Sequence, residues 1–127
     1  MPLLNDFSQV ACEIEKLCSP DIGSVLVLLG VARNTSKDGR KVEKIQVIRI
    51  EEPEKKIKKL KDEIITKFNV KEVKIFYKFG YITPGELITA IIISSKHRNE
   101  AFQAAMYCID KIKEIFPLIE IFATPRD

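Results

Sequence analysis

LITAIIISSKHRNEAFQAAMYCIDKIKEIFPLIEIFA, residues 87–123, changes its hydrophobic period twice. LITAIIIS, 87–94, is an unbroken apolar run rich in β-branched residues, as expected of a strand buried on both faces. In NEAFQAAMYCIDKIKEIF the apolar residues Phe102, Ala105, Ile109, Ile112 and Phe116 recur at spacings of three and four, the stripe of a helix. Pro117 stops that helix, and LIEIFA, 118–123, reads as a short final strand. At the first junction Lys96, His97 and Arg98 stand where the helix begins. Free N–H groups and the positive end of the helix dipole disfavour cations there and favour an anion bound beside them.

Working outward, the same contrast of periods recurs. From about Asp6 to Leu17, Phe7, Val10, Ala11, Ile14 and Leu17 predict a first helix, which SPDIG ends. SVLVLLGVAR, 24–33, is apolar on both faces and predicts a mid-sheet strand. Polar NTSKDGRK, 34–41, then forms a long, mobile hairpin loop before VEKIQVIRI. EEPEKKIKKLKDEIITKFN opens with acids and a first-turn proline, places Ile57, Leu60, Ile64 and Phe68 on one stripe, and predicts a helix ending at Asn69. KEVKIFYKF alternates as a strand with Val73, Ile75, Tyr77 and Phe79 inward and Phe76 outward, and GYITPGE turns into LITAIIIS. The order α, β, β, α, β, β, α, β predicts a single α+β domain over 1–127, a mainly antiparallel sheet packed against helices.

The composition, 46% hydrophobic and 31% charged, is that of a globular chain with a real core. Its apolar runs are too short to span a bilayer, and MPLLNDFSQV has no signal-like start, so the expected location is cytoplasmic. Basic and acidic side chains number 21 and 18, too balanced for a nucleic-acid binder that relies on a strong basic field. An RNA-binding sheet needs stacking aromatics, and only Phe76 is offered. Abundant Lys, Glu and Ile without Trp match a thermophile's preferences. Cys12, Cys18 and Cys108 form no CxxC pair, which disfavours a disulfide framework or a zinc site and predicts buried thiols.

His97 is the only histidine, which excludes a histidine-rich metal centre; Cys108, about three turns along the helix, is too far to pair with it. Arg98 adds a planar donor fork suited to phosphate or carboxylate. Arg33 ends an otherwise apolar strand beside a loop, where binding residues commonly lie. Lys113 lies at the edge of a stripe expected to be buried. Each also has a plain structural reading: a residue flanking a helix start, a strand-end charge, and a snorkelling lysine at a helix C-terminus. Arg98 and Lys113 are separated by roughly 22 Å of helix, so if both serve one small ligand the simplest geometry is a site shared across a symmetric dimer. The lysine cluster of 55–61, outside the apolar stripe and flanked by acids, reads as a solvated face.

GSVLVLLGVAR, the polar loop, YITPGE, ISSKHRNEAFQAAMYCIDKIKEIFPLIE and the Ala-Thr-Pro ending together resemble the large, catalytic subunit of molybdopterin synthase, from about Asp21 onward. The resemblance implies an α/β-hammerhead fold and a homodimer within a heterotetramer. Its partners would be two small ubiquitin-like sulfur carriers ending in Gly-Gly. Their thiocarboxylates would deliver sulfur to cyclic pyranopterin monophosphate, forming the dithiolene of molybdopterin with no resident cofactor or metal. It assigns Lys113 as catalytic and Arg33, His97 and Arg98 as substrate-binding. The family's second catalytic lysine falls at Glu120, IQVIRI lacks the usual acid and aromatic, and relatives continue past Asp127 with a tail carrying a further arginine. Arg126 and Lys41 are the candidates to compensate. The alternatives are a non-catalytic family member that binds the carrier, and a generic module that binds a phosphate-bearing ligand.

Overall fold

The computed structural model describes residues 7–123, and Arg126 lies outside that range. In chain order the elements are α1 (Phe7–Leu17), β1 (Ser24–Val31), β2 (Val42–Val47), α2 (Pro53–Phe68), β3 (Glu72–Tyr77), β4 (Gly80–Ile82), β5 (Leu87–Ser95), α3 (Arg98–Ile115) and β6 (Leu118–Phe122). They form an α+β fold with two antiparallel three-stranded sheets, ordered β1-β5-β3 and β4-β2-β6.

β5 is the centre of the first sheet, and its apolar run follows from having a core on each face. Ile91 and Ile93 point to the main core with α2 and α3, while Ala90 and Ile92 point to a smaller one closed by Val10 and Leu17 of α1. Burying each isoleucine contributes about 1.5–3 kcal/mol. β3 divides likewise: Val73, Ile75 and Tyr77 face the main core and Phe76 the smaller one. Phe76 is therefore buried under α1 rather than outward, so the aromatic expected to be offered to an RNA is covered.

α2 begins at Pro53 and ends at Asn69, which takes the left-handed conformation at φ 56°. Ile57, Leu60 and Ile64 are buried, and most of the lysine cluster is solvated as expected.

Several expectations are corrected. β1 is an edge strand, not mid-sheet, and Leu29 and Val31 reach solvent. β1 and β2 do not form a hairpin, since each pairs in a different sheet. The intervening loop is not a loose one: Ser36 N–H donates to the Arg40 carbonyl (2.9 Å) and Val42 N–H to the Asn34 carbonyl (2.8 Å), around a Thr35–Lys41 bridge. GYI is a strand, β4, paired with β2, so the turn shrinks to Thr83–Glu86. Of the predicted α3 stripe Ala105, Ile112 and Phe116 are buried, but Ile109 is only partly so and Phe102 is exposed, and Ala101, Ala104 and Cys108 complete the buried face. In the first turns of α3 the small Ala101, Ala104 and Ala105 take the core face and let the helix sit close to the sheet, while Phe102 and Met106 remain outside. Only Cys108 is a buried thiol; Cys12 and Cys18 are exposed on and just after α1.

Candidate functional site

The seam between the two sheets opens into a cleft of about 820 Å³. Its floor is apolar, with Ile45 and Val47 of β2, Tyr77 of β3, Ile112 of α3, Phe116 and Phe122. Its charged lining is Arg33, Lys37, Asp38, Lys113 and Glu120. Arg33 and Lys113, far apart in sequence, thus share one site.

Local structure explains how each arrives there. The Thr83–Glu86 turn grips the chain just before Arg33: Ala32 N–H donates to the Glu86 carbonyl (2.9 Å), and Gly85 N–H donates to the Ala32 carbonyl (2.8 Å). Gly85 has φ 95°, a left-handed conformation open to glycine, and Glu86 Oε1 accepts the Thr83 N–H at 3.0 Å. The "TPGE" motif is thereby a brace for the arginine. Lys113 stands in the last turn of α3, where the negative end of the helix dipole favours a cation. Phe116 N–H closes that helix on the Ile112 carbonyl (2.8 Å), and Pro117, whose carbonyl accepts the Ile48 N–H (3.0 Å), sends the chain into β6 and carries Glu120 into the cleft.

The electrostatics leave the cations free. Arg33, Lys113 and Glu120 form no ion pair among the described residues. Asp38 is turned into its own loop, where the Ser36 hydroxyl and then the Arg40 N–H hold its carboxyl below the usual carboxylate range. Burial is the main cause that raises the Tyr77 phenol, keeping it neutral across the physiological range. Arg40 lies over the Phe122 ring at 3.7 Å and so packs against one wall. Lys37 and Asp38 were not anticipated as lining, a polar loop between two apolar strands being their only sequence signal; Tyr77 was marked only as an inward residue of its strand.

His97 and Arg98 do not line this cleft. They are exposed at the opposite end of α3, and no side chain caps the helix at His97. Their position is fixed from below: Gly23 N–H donates to the Ser95 carbonyl (3.0 Å), and the Ser95 hydroxyl donates to the His97 carbonyl. Lys41 is exposed on the loop and is not among the lining residues. The described residues contain no group of three or more His, Cys, Asp or Glu side chains placed to hold a metal ion.

An apolar cleft lined by the unpaired cations Arg33, Lys37 and Lys113, set at the seam of two sheets, defines an α+β protein that can seat a small anionic molecule. The chain belongs to the MoaE protein family, whose model matches residues 5–115. It is 29% identical over 106 residues to the molybdopterin synthase catalytic subunit of Pyrococcus abyssi, covering 83% of this chain and 71% of that one. With the same subunit of Thermoplasma volcanium it shares 34% identity over 106 residues, covering 83% and 77%. The crystal structure of molybdopterin synthase from Staphylococcus aureus superposes with a TM-score of 0.79 at 28% identity, covering 98% of this chain and 90% of that one. A complex of subunits 1 and 2 of the molybdopterin-converting factor from Helicobacter pylori shares the fold, with a TM-score of 0.69 at 17% identity over 99% and 88% of the two chains. The resemblance seen in the sequence and the α+β class both stand.

Proposed function

We propose that the protein is the catalytic subunit of a molybdopterin synthase, a cytoplasmic sulfurtransferase that converts cyclic pyranopterin monophosphate to the dithiolene of molybdopterin. The sulfur arrives as a thiocarboxylate on the Gly-Gly terminus of a small ubiquitin-like carrier, which explains why the cleft needs no nucleophilic cysteine. The single observation that carries this reading is the meeting of Arg33 and Lys113, unpaired, in one apolar cleft.

In this reading Arg33 holds phosphate or pterin oxygen, and Lys113 stabilises charge or moves a proton as the carrier's sulfur attacks carbon, the roles such a transfer demands. His97 and Arg98 of a second copy complete the pocket, since α3 holds them roughly 22 Å from its own Lys113. Supporting that arrangement are the solvent-facing Phe102 (55% exposed) and Met106 (70% exposed) on α3, apolar surface for a homodimer to cover. The two-subunit assembly of the Helicobacter relative supports a carrier partner. Lys41 and Arg126 remain candidate auxiliary cations. The comparisons do not favour the non-catalytic alternative.

The test is a single-turnover reaction of the protein with thiocarboxylated carrier and cyclic pyranopterin monophosphate, followed by quantification of dithiolene. Product that vanishes in Lys113→Ala supports the assignment. Product at the native rate from that variant removes it.

A further inference from the structure

Glu120 is the cleft carboxylate that the sulfur-transfer reading leaves without a task and that no loop contact holds, unlike Asp38. Leu118, Glu120 and Phe122 all line the cleft, as residues two apart on one face of a strand must. Glu120 lies directly opposite Ile45 in the β2–β6 ladder, and Ile45 lines the cleft too. The carboxylate is thus flanked by apolar neighbours, still reached by solvent, and unpaired among the described residues although Arg33 and Lys113 line the same space. A carboxylate is an acceptor only, so it repels a phosphate and attracts paired N–H donors.

A cleft holding both free cations and a free carboxylate matches a ligand with an anionic end and a donor-rich end. The pterin system has such an end: its 2-amino group and the adjacent ring N–H form a parallel donor pair, spaced like two arms of a guanidinium and suited to two carboxylate oxygens. We propose that Glu120 binds the 2-amino, N–H edge of a pterin and orients its phosphate-bearing end toward the cations. This rests on the pterin reading of the cleft. It makes Glu120 a specificity-determining residue for the heterocycle, where the family's lysine would present a donor to the ligand instead.

Two probes separate the alternatives: 6-(phosphooxymethyl)pterin, and its lumazine counterpart with a 2-oxo group in place of the 2-amino group. Fluorescence titration would compare their binding to the full-length protein and to Glu120→Gln, a near-isosteric change at an exposed position whose folding is checked by its melting curve. The native protein should favour the pterin, and Glu120→Gln should weaken pterin binding roughly tenfold to hundredfold, the usual worth of charge-assisted hydrogen bonds. Lumazine binding should stay within about twofold. Equal losses for both probes, or none for either, would overturn the assignment while leaving the pterin reading intact. A native protein that binds neither probe would overturn the pterin reading and this assignment with it.

Discussion

Lys113 is exposed, unpaired and in the last turn of α3, so replacing it removes a charge without disturbing the core. Lys113→Ala should leave the melting temperature nearly unchanged and lower the single-turnover rate by about 10²–10³-fold, the usual loss when one charge-stabilising group is deleted. Cys108 behaves oppositely. Burial pushes its thiol up to about 12, so it stays neutral and inaccessible where exposed Cys12 and Cys18 react. A thiol reagent at pH 8 should label two cysteines in the native protein and three after unfolding, as counted by mass spectrometry. The same shift has a stability consequence. The folded-state pKa lies above the unfolded value, so the contribution of Cys108 is full below about 9 and is lost as pH rises from there toward 12. Cys108→Ala should therefore melt with a weaker dependence on pH across that alkaline window. At this scale the sequence was informative about Arg33 and Lys113, whose type and position marked them, and uninformative about Lys37 and Asp38, which look like any polar loop residues.

Between elements, close approach governs what can vary. A Cβ on Gly23 would lie 2.1 Å from the Lys96 carbonyl oxygen, a backbone atom with no rotamer to escape into. Gly23→Ala must therefore push the β5–α3 junction, and with it His97 and Arg98, away from β1. The expected cost is about 1–3 kcal/mol in denaturant unfolding, with affinity for the proposed substrate lowered although none of the proposed site residues has been touched. Ile92 is wholly buried in the smaller core beneath α1, so Ile92→Ala should cost about 2–5 kcal/mol by the same measurement. Helix and strand periods were legible because each element has a definite inside. The inward face at the start of α3 was not, because Ala101 and Ala104 are too small to stand out against Phe102 in a sequence, yet they pack into the core and Phe102 does not. β4 was missed for a related reason: three residues carry too little pattern to be told from a turn.

For the whole molecule, α3 is the ruler. It holds Arg98 and Lys113 at its two ends, so one chain cannot close both around a small ligand, and the proposed dimer follows from that length. Phe102→Glu, at a position exposed in the single chain, should preserve folding but shift sedimentation toward monomer and abolish product formation. An unchanged dimer would place the interface elsewhere. The sequence by itself determined the α+β class, the three helices, the strands long enough to show a period, and the candidacy of Arg33, His97, Arg98 and Lys113. These follow from local period, residue chemistry and motif order, which are properties of neighbouring residues. Tertiary structure alone decided that β1 is an edge, that β2, β4 and β6 make a second sheet, that Phe76 is covered by α1, and that Arg33, Lys113 and Glu120 line one cleft. Strand partners and cleft walls are chosen by contacts between residues distant in the chain, and no local pattern records which distant surface will bury a given face.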